Sequence, residues 1–275
     1  MPNQNRKKGT RFEFDAKREV RNIITQIRNY FKDCAAPEAR AVIGISGGKD
    51  STIAAKLLVE ALGPDRVVGV LMPDGEQSDF DVSMRVVNEL GISATSLVVN
   101  IGELTDAAYA TLERSYKPVN ETGGKLRLTV KDNVTINTPP RMRMGMLYAV
   151  AASLDYDARV INTCNASEDY IGYSTKYGDS AGDYGILQEY TVSEIYEIGD
   201  ALGISRDLVH KKPSDGLCGL CDEDRFGFSY EDLDEFIVTG AIADDASREK
   251  IIRMHNAALH KLVPMPKVNR LHYKY

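Results

Sequence analysis

The hexapeptide Ser46-Gly47-Gly48-Lys49-Asp50-Ser51 is the part of the chain richest in chemistry. Two adjacent glycines let a backbone turn sharply and approach an anion, and the flanking hydroxyls are donors for phosphate oxygens. The loop closes the apolar, β-branched run AVIGIS (41–46) and opens STIAAKLLVEAL (51–62), so a buried strand delivers it and a helix leaves it. The unpaired N–H groups and positive dipole end of that helix suit the same anion. A Walker loop needs Gly, four residues, then Gly-Lys-Ser/Thr; here Asp50 follows the lysine and the spacing fails. An acid beside phosphates is sensible only where a cation bridges them, so Asp50 implies magnesium.

Further candidates lie downstream: Arg141 and Arg143, the stretch Thr163 to Glu168, then Thr175-Lys176-Tyr177-Gly178-Asp179, Asp183, Ser214, and the pair His260-Lys261. Taken singly, Glu168 and Asp183 read equally well as solvated loop acids, Arg141 and Lys261 as surface charges, and His260 as an ordinary surface histidine. Cys218-Gly-Leu-Cys221 is half of a metal site, but only Cys34 and Cys164 remain and neither forms a second pair. Reduced structural thiols are the expectation there, with zinc or a cluster as the alternative.

Alternating elements must position these residues. An amphipathic helix spans 15–34, strands are expected over 66–73, 94–101 and 158–163, and helices over 79–90 and 103–116. After an excursion over 117–138, a helix covers 140–154 with Pro140 in its first turn. Thr191 and Glu194 form a capping box for a helix that ends near Gly203. A Gly-, Asp- and Cys-rich loop follows over 211–228, and helices over 229–238 and 247–262 finish the chain. The pattern predicts an α/β fold: a doubly wound, mainly parallel sheet with helices on both faces, plus C-terminal helices. Ligands of such sheets bind at the carboxyl ends of the strands, where SGGKDS, Pro73-Asp74-Gly75 and Thr163 to Glu168 all fall. No repeat or linker divides the chain, so one domain over 1–275 is expected.

Composition narrows the classes. The 275 residues are 43% hydrophobic and 27% charged, as in ordinary globular proteins. A net charge of -6 gives no general attraction to nucleic acid. No apolar stretch approaches the roughly 20 residues that cross a bilayer, so no membrane partner is expected. The basic N-terminus lacks a signal peptide's apolar core, and four cysteines are too few for a disulfide scaffold; a reducing cytoplasm fits both.

Strand, SGGxDS loop and helix resemble the pyrophosphate loop of the ATP pyrophosphatase superfamily, whose members cleave ATP to AMP and pyrophosphate. The downstream segment, with its Thr-Lys-Tyr-Gly-Asp core and the spacing of Thr163, Glu168, Lys176 and Asp183, resembles the ammonia-using NAD synthetases over about residues 15 to 265. That resemblance implies an adenine nucleotide alpha-hydrolase-like fold and ATP-dependent amidation of nicotinic acid adenine dinucleotide (deamido-NAD) by way of an acyl-adenylate. It places ATP on Gly44, Ile45, Ser46, Gly47, Gly48, Lys49, Asp50, Ser51, Thr163 and Ser214. Magnesium falls to Asp50 and Glu168, and the dinucleotide to Arg141, Lys176, Asp183, His260 and Lys261. Asp50 and Asp179 are the catalytic candidates, Asp179 as the group that orients ammonium or takes its proton.

A homodimer is implied as well. About 40 residues precede AVIGIS, too few for a glutaminase domain, so free ammonia is the expected nitrogen donor. One position departs from the pattern: Val192 stands where many relatives carry an ATP-contacting lysine, leaving Lys49, Lys211 or Lys212 to supply that charge. The segments 74–80 and 211–228 are candidate lids. A tRNA-modifying thiolase or lysidine-type ligase is the alternative enzyme, and a nucleotide sensor the non-enzymatic one.

Overall fold

The protein is described by a computed structural model over residues 14–33, 36–76, 80–114, 129–210 and 222–268. Helix α1 (Ala16–Asp33) precedes strand β1 (Arg40–Gly44), α2 (Lys49–Leu62), β2 (Val67–Leu71), α3 (Phe80–Glu89), β3 (Leu97–Val98) and α4 (Gly102–Arg114). The long α5 (Asp132–Ala152) leads to β4 (Ala158–Asn162), α6 (Ala166–Ile171) and β5 (Tyr184–Gly185). Helices α7 (Val192–Ala201), α8 (Arg206–Val209), α9 (Asp222–Phe226), α10 (Tyr230–Thr239) and α11 (Asp245–Leu262) complete it.

The strands form one sheet in the order β3-β2-β1-β4-β5, and every pairing is parallel. Alternation along the strands divides the core between two faces. Ala41, Ile43, Val67, Leu71 and Ile161 point to the face covered by α1, α2 and α7. Val42, Val68, Val70 and Val160 point to the face covered by Met144 and Leu147 of α5. Burial on both sides explains why the strands read as continuous apolar runs. Ile43, Ile53 and Leu57 are wholly buried, so truncating any of them to alanine costs about 2–5 kcal/mol. A third cluster, with Phe226, Tyr230, Leu233 and Ile251, joins the C-terminal helices to Ile171 and Val192.

The expected architecture is present, with local differences that have physical causes. The strand expected over 94–101 shrinks to Leu97–Val98 behind a turn at Ser93–Thr95. There Thr95 Oγ1 donates to Val67 O at 2.6 Å and Ser96 Oγ to Ile92 O at 2.8 Å, side-chain bonds that compete with a ladder. Helix α5 starts at Asp132, so Pro139 and Pro140 lie inside it rather than Pro140 opening it. Pro139 has no N–H for Thr135 O, and the Tyr109 hydroxyl donates to that carbonyl instead, at 3.3 Å. Within the loop expected over 211–228, residues Asp222–Phe226 are helical. No helix among the described residues is long and apolar enough to cross a membrane.

Candidate active site

The chain leaves β1 to one side of the sheet and returns through β4 to the other, so the strand order reverses between these two neighbours. A crevice opens at such a switch point, beyond the carboxyl ends of the strands. The loop after β1 and the connection after β4 both end there.

The first wall is the glycine loop. Gly47 has φ 77°, and a Cβ on it would lie 3.1 Å from Ser83 Oγ and 3.2 Å from Val82 Cγ1. Only glycine meets both demands without strain. Ser46 Oγ lies 3.0 Å from Ser51 Oγ and accepts from Gly48 N–H at 3.3 Å, which ties the loop into a narrow turn. The N-cap of α2 is Gly48, and no side chain caps the helix. Its first-turn N–H groups are therefore open to an anion.

The second wall is α6. Asn165 accepts from Glu168 N–H at 2.9 Å, and the Glu168 carboxylate accepts from Asn165 N–H at 3.5 Å, a reciprocal capping box. Asn165 also donates its side-chain amide to Asp50 Oδ1 at 3.3 Å, linking the two walls. Behind them, Asp234 accepts from the Ser167 hydroxyl and from Ser193 N–H and Oγ, at 2.8 and 2.6 Å for the latter two. That buried carboxylate locks the starts of α6 and α7 together. Val192 opens α7, buried, with its N–H on Ser167 Oγ at 3.0 Å.

Asp50 and Glu168 thus meet across the crevice. Burial pushes the Glu168 carboxyl well above its ordinary value and the facing Asp50 carboxylate pushes it further, with Lys49 partly opposing both. Lys49 is 6% exposed, and its Nζ donates to Asp50 Oδ2 at 2.9 Å. The rings of Tyr196 and Tyr230 stand 5.8 and 5.9 Å from the same ammonium. Burial works against its charge, but Asp50 and Glu168 outweigh that, so the ammonium is held above the usual lysine range. Among the described residues no three His, Cys, Asp or Glu side chains gather into a metal cage.

A second cluster lies at the rim. The Thr175 to Ser180 turn is closed by Gly178 N–H on Thr175 O at 2.8 Å and by Thr175 N–H on Asp179 Oδ1 at 2.8 Å. Tyr177 takes a left-handed φ of 64° within it, an uncommon cost for a side chain of this size. Lys176 Nζ donates to His260 O at 2.6 Å, and Arg141 Nε donates to Lys176 O at 3.2 Å. Lys261 Nζ donates to Gly172 O and Ser174 O, both at 2.7 Å. Gly172 lets α11 come this close, since a Cβ there would fall 2.2 Å from Ala258 Cβ. The Asp179 carboxylate reaches solvent, yet desolvation by its crowded surroundings raises it above the usual range, against the pull of Thr175 and Lys261.

The sequence-derived candidates therefore divide. The loop residues from Gly44 to Ser51, Thr163 just past β4, and Glu168 line the switch point. Arg141, Lys176, Asp179, His260 and Lys261 gather at the rim. Asp183 stands apart from them: its carboxylate accepts from Val160 N–H at 2.8 Å and from the Tyr148 hydroxyl at 3.1 Å. It borders an open groove of about 470 Å³ with Tyr148, Tyr156 and Arg159. Ser214, Lys211, Lys212, Cys218 and Cys221 lie outside the described residues, as do parts of both candidate lids. Of the other cysteines, Cys164 is buried with a free thiol, and Cys34 is also outside. Sequence reasoning includes Asn165 in the Thr163 to Glu168 stretch without the capping role that its Asn-x-x-Glu spacing signals, and it has no signal for Asp234, Tyr196 and Tyr230. Arg143, which the sequence leaves without a role, donates its Nε to Met72 O at 3.0 Å, at the end of β2.

A parallel doubly wound sheet with an uncapped glycine loop facing a carboxylate pair defines a nucleotide-binding α/β enzyme. The NAD synthase family profile matches residues 19–273. The NH(3)-dependent NAD(+) synthetase of Pyrococcus furiosus is 35% identical over 78% of this chain and 76% of its own. Among solved structures, the NMN synthetase of Francisella tularensis superposes with a TM-score of 0.80 at 28% identity, covering 94% of this chain and 100% of that one. The NAD+ synthetase of Burkholderia pseudomallei gives 0.69 at 30% identity, covering 90% of each. The chain belongs to the NAD synthase family.

Proposed function

We propose that this chain is a ligase that amidates deamido-NAD with ammonia at the expense of ATP, giving NAD, AMP and pyrophosphate through an acyl-adenylate. The observation that carries the reading is the meeting of Asp50 and Glu168 beside the open N-terminus of α2, in a member of the NAD synthase family. The β1–α2 loop and the first N–H groups of α2 hold the phosphates, with Ser46, Ser51 and Thr163 as hydroxyl donors. Two facing, partly buried carboxylates are the hard oxygen donors that magnesium takes together with phosphate oxygens, so Asp50 and Glu168 fit that ion. When bound there, it supplies charge neutralisation for the departing pyrophosphate.

Arg141, Lys176, His260 and Lys261 bind the acidic nucleotide at the rim, orienting its carboxylate toward the α-phosphorus. Asp179 receives a proton from the attacking ammonia. We also propose that the chain acts as one domain, as a homodimer, in the cytoplasm; the family resemblance supports the dimer, and the free buried thiol of Cys164 fits a reducing compartment. Pyrophosphate release and NAD formation from deamido-NAD, ATP and ammonium test the reading. Efficient synthesis from glutamine by the same purified chain, with ammonia removed, would overturn the nitrogen source.

The Francisella NMN synthetase, at the TM-score of 0.80, favours a second reading in which the acid is a mononucleotide. The ratio of kcat/KM for nicotinic acid mononucleotide over deamido-NAD decides between them: above one, the mononucleotide is the substrate.

A further inference from the structure

Lys49 belongs to the phosphate loop by its backbone, but its side chain is spent elsewhere. Its ammonium is buried, bonded to Asp50 Oδ2 at 2.9 Å, and walled by the rings of Tyr196 and Tyr230 at 5.8 and 5.9 Å. On the far side of Asp50, Asn165 donates to Oδ1 at 3.3 Å and carries the capping box that fixes Glu168. One positive charge therefore sits against a pair of carboxylates that, without it, would face each other across a poorly hydrated crevice.

We propose that Lys49 is the internal counter-ion of the Asp50–Glu168 pair and competes with the divalent cation for Asp50. This rests on the assignment of Asp50 and Glu168 as the metal-holding pair. Lys49 is a positioning residue: it keeps Asp50 ordered while the metal is away, and it weakens metal binding until a nucleotide arrives. Phosphates then offer the displaced ammonium a new anion, so metal and nucleotide load together. The two rings fit this role, because an aromatic face holds an ammonium without neutralising it or fixing it by a directional bond.

The test is direct binding of Mn2+ to the nucleotide-free protein, read from the free-ion electron spin resonance signal at pH 7. Lys49→Met and Lys49→Gln should each tighten Mn2+ by about tenfold or more, because a positive charge has left the neighbourhood of two negative ones. Lys49→Arg should bind as weakly as the parent. Melting in EDTA should drop for Lys49→Met and recover with Mn2+, a pattern that simple loss of packing does not give. Unchanged or weaker Mn2+ binding in both neutral variants overturns the proposal, including the case in which Lys49 serves ATP phosphates alone and only the KM for ATP rises. Asp50→Asn separates the two levels. Loss of Mn2+ binding there, without tightening in Lys49→Met, removes the counter-ion role but leaves the site. Mn2+ binding untouched by Asp50→Asn overturns the site assignment and the counter-ion role together.

Discussion

The switch point and the rim both concentrate charge, and they hold it in opposite ways. At the switch point Asp50 is held by two side chains, Lys49 and Asn165, while Glu168 accepts from Asn165 N–H within its capping box and buried Asp234 anchors α6 as a whole. At the rim the cations rest on backbone carbonyls: Lys176 on His260 O, Lys261 on Gly172 O and Ser174 O, and Arg141 on Lys176 O. A neutral carbonyl holds a cation less firmly than an anion does, so a rim cation moves onto an anionic substrate at small cost. The carboxylate pair cannot move without unpairing buried charge. On the proposed reading, the first cluster is preorganised for chemistry and the second is exchanged when the substrate binds.

That contrast breaks most visibly at the pair. Asp50→Asn and Glu168→Gln should each lower turnover by about a thousandfold, as expected when a group that stabilises developing charge is lost, with circular dichroism unchanged. Near-parent rates from either folded variant would remove the proposed metal role. Asp179 tests the seam between the clusters. Asp179→Asn should still release pyrophosphate from ATP and the acid substrate but make NAD about a hundredfold more slowly. Desolvation by its crowded surroundings raises the Asp179 carboxyl, so at fixed free ammonia the parent should lose activity on the acid side beginning above the ordinary carboxylate range. The asparagine variant should lack that acid limb; an identical limb in both proteins would assign it to another group.

The rim predicts a different kinetic signature. Lys261→Met and Lys176→Met should raise the KM of the acid nucleotide by about ten- to a hundredfold while kcat changes little, since each removes one charge-assisted hydrogen bond of about 1.5–3 kcal/mol. A fall in kcat with KM unchanged would show that the rim, too, is preorganised for the transition state.

The sheet, its helices and the loop were legible because their signals are local: apolar β-branched runs, a glycine pair with its acid, and the Thr191–Glu194 box that does open α7. The extent of β3 and the start of α5 were not. They depend on Thr95 reaching Val67 O and on Tyr109 reaching Thr135 O, contacts between residues 28 and 26 positions apart. The same limit applies to the site. Glu168 could be named from its order in the chain, but the Tyr196 and Tyr230 rings that wall the Lys49 ammonium beside Asp50 come together only when α7 and α10 pack. The capping role of Asn165 could have been found, because a capping box is a four-residue signal.

Asp183 gives the smallest effect and the sharpest check on which cluster it joins. The family pattern assigns it to the substrate beside Lys176 and Lys261, whereas in the structure its carboxylate bridges Val160 N–H in β4 and the Tyr148 hydroxyl of α5. Its backbone N–H also donates to Val160 O at 2.7 Å, so this residue extends the ladder that β5 continues. A residue used this way stabilises the sheet edge before any ligand binds. Asp183→Ala leaves Val160 N–H without its acceptor and should cost about 1 kcal/mol of stability, read from urea midpoints at constant slope. Tyr148→Phe removes only the second donor and should cost less. If the edge role is the whole of its contribution, the KM of the dinucleotide shifts no more in Asp183→Ala than in Tyr148→Phe. A tenfold larger shift in Asp183→Ala would place the substrate in the groove that Asp183 borders and make this residue part of the exchangeable rim.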